Sequence, residues 1–371
     1  MYELIQAGEQ SYYVQCPAKI GIYKKTETEV YLIDSGSDKD AGRRVRKILD
    51  QQGWHLKGIL NTHSHADHIG GNHYLQQQYG CKIFAEGIEA AFTRHPILEP
   101  AFLYGGCPLK GLRHKFLMAA ESETVSFSDP EFPREVEVIP LPGHSFDMVG
   151  FRLPDGTVFL ADSLSSEATL EKYGISFLYD VEAHLNTLEK VSALEARMFV
   201  PSHAEASEEI RPLAELNRKK VLETGAYIRE LCGEPKTFEE ILQKVFQDYG
   251  MQMTYQQYAL IGSTVRSYLT WLEARGGAEA VIEENRMLWK KNSVEKCGQE
   301  SALSIPVRMD NKRVQSSASA FSSAACTWST NSLRMLGYSP RPFSTQETGK
   351  PAASNWQRQD SGSSPAISFL A

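Results

Sequence analysis

The residues with the clearest chemistry form one short run, Asn61–Asn72, which directly follows an apolar stretch. Three imidazoles and one carboxylate fall within six residues of it, at His63, His65, Asp67 and His68. The apolar stretch predicts a short buried strand, and side chains two apart in extended chain share a side, so His63 and His65 can face one cavity. Asp67 and His68 begin a helical pattern and approach that cavity from a second direction. Imidazole nitrogen and carboxylate oxygen are ligands for zinc, iron or manganese, so the run predicts a metal site.

The H-x-H-x-D-H order of this run resembles the metallo-β-lactamase superfamily, whose remaining ligands can be sought one by one. In that family a third histidine follows a strand in a P-G-H turn, a bridging carboxylate ends a strand, and a last histidine follows another strand. The matching positions here are His144, Asp162 and His203, in the expected order within residues 1–206. One departure is Asp147, where many relatives have Gly, in the loop beside His144.

The resemblance implies a centre of two divalent ions, taken as zinc, with iron or manganese as alternatives. It assigns one ion to His63, His65 and His144, the other to Asp67, His68 and His203, and the bridging position to Asp162. Two such ions lower the pKa of a shared water from about 15.7 toward 7, which gives a metal-bound hydroxide as the nucleophile. Asp67 is the expected catalytic residue, because it lies beside this water and can handle the proton.

The leading hypothesis is therefore a binuclear metal-dependent hydrolase that acts on a small ester-like substrate, a thioester or a lactone. A run like that of glyoxalase II extends from Thr62 to Asn72, although many superfamily members share it. The alternatives are a phosphodiesterase or endoribonuclease of the same fold, and a mononuclear iron persulfide dioxygenase. A flavodiiron protein is excluded, because His65 replaces the acid usual there and no flavodoxin-like segment follows.

The elements around these motifs must bring them to one place, and their alternation predicts an α/β fold. Residues 1–35, 123–127 and 135–163 are rich in strand patterns, with Asp155-Gly156 as the predicted turn of a hairpin, whereas 38–52 and 180–194 carry apolar residues at helical spacing. Such alternation fits two mixed sheets covered by helices. The resemblance implies a four-layer αββα sandwich with the metals at one edge, between the sheets.

Some neighbouring residues are assigned supporting roles. Gly70 and Gly71 would let backbone come close where a Cβ would obstruct it. Asp34, at the end of an apolar strand, is expected to hold the ligand loop by hydrogen bonds. His184 lies within a helical pattern and is assigned to the scaffold. The loop 94–120 has two interpretations, a wall or lid facing the substrate and a packed insertion.

The segment 207–292 is predicted to be a helical domain that resembles the winged-helix appendage of some superfamily members. Capping boxes at Thr237–Glu240 and Thr254–Gln257 begin two of its helices, and a short hairpin follows them. The last helix carries only Arg266 and Arg275 as basic residues, so we expect no role in reading DNA. Packing, formation of a homodimer and shaping of the substrate mouth remain open for this segment.

Composition separates a body from a tail. The formal charge of the chain is −7, but residues 1–292 carry −10, because 293–371 hold eight Lys/Arg against five acids. An acidic body opposes binding to a nucleic-acid backbone, which needs clustered Lys and Arg. The tail is Ser-rich and lacks apolar periodicity, so we predict that 293–371 are disordered. The predicted domains are thus 1–206 for catalysis, the helical 207–292, and this tail.

The remaining features concern location and partners. Six Cys are scattered without a C-x-x-C pair, so neither a disulfide framework nor a zinc ribbon is indicated. The N-terminus lacks the pattern of a signal peptide, and no apolar run reaches the length that crosses a bilayer. We therefore expect a cytoplasmic protein with a small-molecule substrate and no membrane partner.

Overall fold

The first half of the chain builds a six-stranded sheet whose two faces are both buried. The computed structural model describes residues 2–292. The strands lie in sequence order: β1 (Glu3–Gln6), β2 (Ser11–Gln15), β3 (Ile20–Lys24), β4 (Glu29–Ile33), β5 (His55–Leu60) and β6 (Lys82–Phe84). Strands β1 to β4 are antiparallel, and β4, β5 and β6 are parallel. Side chains alternate along β4, where Val30 and Leu32 enter one core and Tyr31 and Ile33 another.

A second, four-stranded sheet packs face to face on the first. Its strands have the order β10-β9-β8-β7. Their bounds are β7 (Glu137–Pro140), β8 (Val149–Arg152), β9 (Thr157–Ser165) and β10 (Met198–His203). A core between the sheets joins Tyr23 and Phe84 of the first sheet to Phe151, Phe159 and Val200 of the second. The predicted Asp-Gly hairpin is confirmed, because β8 and β9 are antiparallel neighbours.

Helices cover the two outer faces and complete the predicted four layers. Those within residues 39–193 are α1 (Lys39–Gln52), α2 (Ala66–Ile69), α3 (Asn72–Tyr79), α4 (Gly87–Arg94), α5 (Leu98–Tyr104), α6 (Glu167–Tyr173) and α7 (Val181–Ala193). Val45 of α1 and Leu75 of α3 pack on the first sheet. Leu188 of α7 packs on the second sheet. Helix α1 starts where predicted, since the Asp38 side chain accepts hydrogen bonds from the amides of Asp40 and Ala41.

Three further helices and a hairpin complete the described residues. They are α8 (Arg211–Leu231), α9 (Phe238–Asp248), α10 (Tyr255–Ala274), β11 (Ala278–Glu283) and β12 (Arg286–Lys291). The capping box of Thr237 and Glu240 is present at the start of α9. One apolar core runs from Leu160 of β9 through Val221 of α8 to Val245 and Val265 of the last two helices. The boundary near residue 206 stays a prediction, and the predicted tail lies outside the described residues.

One local expectation differs from the structure, and one of two open interpretations is supported. The strand predicted from residues 123 to 127 is reduced to a single bridge between Val125 and Phe84, because β6 offers only three residues to pair with. The 94–120 loop contains α5 and a 3-10 turn, and its Leu103 and Leu112 pack against Leu260 of α10. Part of it is therefore a packed insertion. Among residues 2–292, no helix combines the length and apolarity needed to cross a bilayer.

Candidate metal centre

Seven side chains predicted from the sequence meet at one edge of the two sheets. Six of them come from the end of a strand or from the segment after it, and Asp162 lies within β9, which continues to Ser165. They are His63 and His65 after β5, Asp67 and His68 in α2, His144 after β7, Asp162 in β9 and His203 at the end of β10. Their ligand atoms form two groups, and within each group all atoms lie within 4.8 Å of one another. Every one of these side chains is at most 8% exposed.

The first group consists of three imidazoles and one carboxylate oxygen. Nδ1 of His65 lies 3.1 Å from Nε2 of His63 and 3.0 Å from Nε2 of His144. Oδ2 of Asp162 lies 3.9 Å from Nε2 of His63 and 3.5 Å from Nε2 of His144. Four ligands at 2.0–2.2 Å from one zinc ion in tetrahedral geometry would be spaced by roughly 3.3–3.6 Å. The donor atoms of this group therefore fit a single ion.

The second group shares Asp162 with the first. Oδ1 of Asp162 lies 3.1 Å from Nε2 of His68, and its Oδ2 lies 3.2 Å from Nε2 of His203. Oδ2 of Asp67 is 3.7 Å from Nε2 of His68 and 3.5 Å from Nε2 of His203. Within the described part of the chain, both oxygens of Asp67, both of Asp162, and Nε2 of His68 and of His203 lack a hydrogen-bond partner. Buried polar atoms are rarely left unpaired, so these residues fit a bound cation.

The ring nitrogens that face away from the centre are held by the protein. Nδ1 of His68 lies 2.8 Å from Oδ2 of Asp34. Nδ1 of His144 and Nδ1 of His203 lie 3.1 and 3.0 Å from the carbonyls of Phe177 and Pro17. Carboxylate and carbonyl oxygens only accept, so each of these nitrogens carries a hydrogen and Nε2 is directed to the centre. Metal-binding histidines in proteins are oriented by such contacts.

The two groups differ in electrostatics. Burial lowers the pKa of His65 to about 4 and that of His144 to about 3. Burial alone would also lower the pKa of His203, but the carboxylate of Asp162 outweighs it and raises the value to about 9. At His68 burial again acts to lower the pKa, but the carboxylate of Asp162 outweighs it and holds the pKa well above its usual range. The carboxylates thus favour positive charge in the second group, and a metal ion competes with the proton for Nε2.

Asp34 has the supporting contacts expected from the sequence. Its Oδ1 accepts a hydrogen bond from the amide of Thr62 at 2.8 Å, and its Oδ2 accepts one from the Thr62 hydroxyl at 2.7 Å. Together with the contact to His68, these bonds join the end of β4 to the ligand run. Asp34 has φ of 62°, and Ala161, directly before Asp162, has φ of 50°. Non-glycine residues seldom adopt this region, and such strain is concentrated at functional sites.

The two glycines of the run have the predicted function. A Cβ on Gly70 would lie 2.3 Å from the backbone of Ser37, and one on Gly71 would lie 2.3 Å from the carbonyl oxygen of Ser35. Real Cβ atoms do not come this close to backbone. The glycines therefore allow the chain after His68 to lie directly against the segment that follows β4.

Two acidic residues beside the centre were not found from the sequence. Glu89 in α4 accepts hydrogen bonds from Ser64 and Ser145, which are next to metal-ligand candidates. Glu99 in α5 is buried, and its Oε1 lies 3.8 Å from Nε2 of His65. Burial, followed by the nearby charge of Glu89, raises the pKa of Glu99 to about 8. The sequence feature that could have indicated Glu89 and Glu99 is an acidic residue within an otherwise apolar helical segment.

His184 is near the centre but belongs to neither group. It lines a cavity of about 20 Å³ that also touches His144 and Asp162, and whose opposite wall includes Lys220 of α8 and Tyr268 of α10. Such a volume holds roughly one water. Its Nδ1 has no hydrogen-bond partner among the described residues, and burial lowers its pKa to about 3. The C-terminal helices thus reach the immediate surroundings of the centre.

Comparison with known proteins agrees with this geometry. Residues 14–203 match the family model described as the metallo-beta-lactamase superfamily. A hydroxyacylglutathione hydrolase of Cereibacter sphaeroides is 32% identical over 151 residues, which are 40% of this chain and 49% of that protein. One of Nitrobacter hamburgensis is 57% identical over 123 residues, 33% of this chain and 39% of that protein. The chain thus spans about half or less of the length of these curated relatives.

Solved structures share the fold over a longer part of the chain. A beta-lactamase domain protein from Burkholderia ambifaria has a TM-score of 0.60 at 14% identity and covers 78% of this chain and 94% of its own. A metallo-beta-lactamase family protein from Thermus thermophilus has a TM-score of 0.58 at 17% identity, with 79% and 98% covered. At these identities the likeness concerns the fold alone. Since the family model matches more than half of the chain, from the end of β2 to the end of β10, and includes all seven clustered side chains, the chain belongs to the metallo-beta-lactamase superfamily.

Proposed function

We propose that the protein is a metal-dependent hydrolase that holds two divalent ions, zinc in the first instance, and cleaves a small ester-like substrate such as a thioester or a lactone. The main observation that supports this proposal is the position of Asp162. Its Oδ1 faces His68, while its Oδ2 faces His63 and His144 of the other group as well as His203. One carboxylate is thereby placed to contact two ions.

Bound divalent ions would supply a water of lowered pKa and polarise the substrate carbonyl. The residues of the chain determine where the proton goes. Oδ2 of Asp67 faces His68 and His203, and neither oxygen of Asp67 has a hydrogen-bond partner among the described residues. Asp67 can therefore take the proton of the attacking water on Oδ1. A bond then forms between the water oxygen and the acyl carbon, the bond to the leaving group breaks, and the departing thiolate or alkoxide receives the proton.

Two observations support an acyl substrate. The curated relatives are named for the hydrolysis of a hydroxyacylglutathione. Beside the centre, Phe146 packs on Tyr179 and Phe102 with ring centroids 4.0 and 5.1 Å apart. Tyr179 is 37% exposed, so part of this aromatic cluster faces solvent near His144. Such a surface suits the apolar part of an acyl group.

The alternatives have less support. A phosphodiesterase or endoribonuclease would bind a polyanion, but Arg275 of α10 is paired with Glu182 and Arg266 lies on the ring of Phe238. A mononuclear iron dioxygenase needs one set of ligands, and here both groups have four. A small-molecule substrate, rather than a nucleic acid, is therefore the proposed partner.

The test combines elemental analysis of the purified protein with hydrolysis assays on thioesters, lactones, phosphodiesters and RNA. We expect nearly two ions per chain and hydrolysis of at least one thioester or lactone that is lost on chelation. Preferential cleavage of RNA or a phosphodiester would contradict the proposal. A chain that saturates with one iron and consumes oxygen would also overturn it, in favour of the dioxygenase.

A further inference from the structure

One buried carboxylate, that of Glu89, accepts hydrogen bonds from two separate ligand loops. Its Oε2 accepts from the amide of Ser64 at 2.9 Å and from the Ser64 hydroxyl at 2.6 Å. Its Oε1 accepts from the amide of Asp147 at 3.1 Å and from the hydroxyl of Ser145. Glu89 is only 3% exposed, so all four donors would be left unpaired without it.

The two loops are those that carry the first group of candidate ligands. Ser64 lies between His63 and His65, and Ser145 directly follows His144. The carboxylate therefore sets the separation between two imidazoles on one loop and the third imidazole on the other. None of its four hydrogen bonds involves the residues that hold the second group in place.

Helix α4, which carries Glu89, is itself held by the same loop. Oδ2 of Asp147 accepts a hydrogen bond from the amide of Ile88 at 2.9 Å, at the start of the helix. The side chain of Asp147 thus accepts a hydrogen bond from the start of α4, and its backbone amide donates one to Glu89 in the same helix. These two bonds fix α4 relative to the loop. This reciprocal contact gives the carboxylate of Asp147 a structural role that Gly at this position could not fill.

We propose that Glu89 is a positioning residue for the first ligand group, with Asp147 as the anchor of its helix. The inference rests on the proposed metal centre and adds that the first group depends on a carboxylate that does not contact the second. Asp34 contacts His68 of the second group directly and reaches the first only through the Thr62 hydroxyl, which lies 3.0 Å from Nδ1 of His63, while Glu89 sets the geometry of the first group. Contacts that orient metal ligands commonly change metal affinity by about 10–100-fold when removed.

The decisive variant is Glu89→Gln, since it keeps the size of the side chain. An amide has one oxygen, so its NH2 group would face the two donors of one loop. That loop must move, and His63 and His65 would lose their spacing from His144. We expect the dissociation constant of one zinc equivalent to rise by about 10–100-fold and the other to stay unchanged.

Two backgrounds identify which ion is affected. In a His203→Ala protein only the first group remains complete, and adding Glu89→Gln should weaken the remaining zinc binding by a similar factor. In a His63→Ala protein only the second group remains complete, and adding Glu89→Gln should leave zinc binding unchanged. The measurement is a titration against a chromogenic chelator, together with the visible spectrum of the Co²⁺-substituted protein. Equal weakening of zinc binding at both groups, or no weakening at either group, would overturn the inference.

A matched control is available at the residue that precedes α4. Glu86 accepts hydrogen bonds from the Ser126 hydroxyl at 2.7 Å and the Phe127 amide at 3.0 Å, and neither belongs to a ligand loop. Glu86→Gln should bind both zinc equivalents as the unaltered chain does. Weakening by Glu86→Gln equal to that by Glu89→Gln would mean that any damage to α4 acts on the centre, and would overturn the specific role.

If Glu89→Gln does not fold, Asp147→Ala decides the question, because it leaves the Glu89 carboxylate in place and removes only the anchor of α4. A smaller weakening confined to the first group supports the proposal, and unchanged zinc binding refutes it. These titrations need no substrate. A protein with this binding pattern that hydrolyses no thioester or lactone would contradict the proposed function and leave the role of Glu89 intact.

Discussion

Asp34→Asn provides the most direct test of how the scaffold supports the second ligand group. Asn has the same shape as Asp and tolerates the left-handed backbone found at this position, where φ is 62°. The change therefore removes one hydrogen-bond acceptor without adding backbone strain. Ala would remove both acceptors and also fit the backbone less well, so its effect could not be assigned to one cause.

The orientation of the new amide follows from the contacts of Asp34. If its NH2 group replaced Oδ1, it would oppose the amide hydrogen of Thr62, which cannot reorient. If it replaced Oδ2, the Thr62 hydroxyl, which also lies 3.0 Å from Nδ1 of His63, would have to redirect its hydrogen, and Nδ1 of His68 would have to accept instead of donate. The second arrangement costs less. It moves the hydrogen of neutral His68 to Nε2, the atom directed at Asp162, and so removes the lone pair available to a metal.

The expected loss is about 10–100-fold in zinc affinity at the second group, or about 1.4–2.7 kcal/mol. The free energy of unfolding without metal should fall by about 1–3 kcal/mol, since one buried acceptor is lost. Chelator competition measures the first quantity and urea denaturation in the presence of excess chelator the second.

Asp155→Asn is the matched control, because Asp155 also accepts several hydrogen bonds but lies in the β8–β9 turn. Its carboxylate accepts from the Ser11 hydroxyl and from the amides of Gln10 and Thr157. This variant should lose stability while binding zinc normally. Tight binding of both ions by Asp34→Asn, or equal weakening by Asp155→Asn, would refute the reasoning.

Three further outcomes are expected. Asp162→Ala should lower the rate of hydrolysis at least on the order of a hundredfold, because it removes the carboxylate shared by both groups. His203→Ala should mainly release one ion. Enzyme kinetics and elemental analysis distinguish the two variants. Iodoacetamide at pH 8 should modify the exposed Cys107 in the folded protein, as peptide mass spectrometry would show. Burial raises the pKa of three other thiols to about 11 or 12, and these should be protected: Cys16, Cys81 and Cys232. Duplex DNA should not bind at micromolar concentration, and salt-dependent binding lost on changing Arg266 and Arg275 would disprove this.

The sequence by itself determined the candidate ligands and the order of the layers. The run from His63 to His68 is local, so its spacing alone places imidazoles on one side of an extended segment. His144, Asp162 and His203 were assigned because they occupy positions that match the superfamily pattern, each beside an apolar strand pattern that is visible over a few residues. The N-caps of α9 and α10, Thr237 and Thr254, were predictable for the same reason, since a cap and its partner amide lie within three residues.

The sequence indicated Asp34 as a support of the ligand run, but only the tertiary structure decided which contacts Asp34 and the other supporting residues make. Glu89 and Ser145 are separated by 56 residues, and Asp34 and His68 by 34. No periodicity encodes such pairs, because they depend on which loops the folded sheets bring together. The strand predicted near Val125 was shortened by its neighbour β6, and α5 became ordered by packing on α10. The local conformational preference of a segment is weak compared with such tertiary contacts. The ligand motif could therefore be read from the sequence, whereas the hydrogen bonds that support it could not.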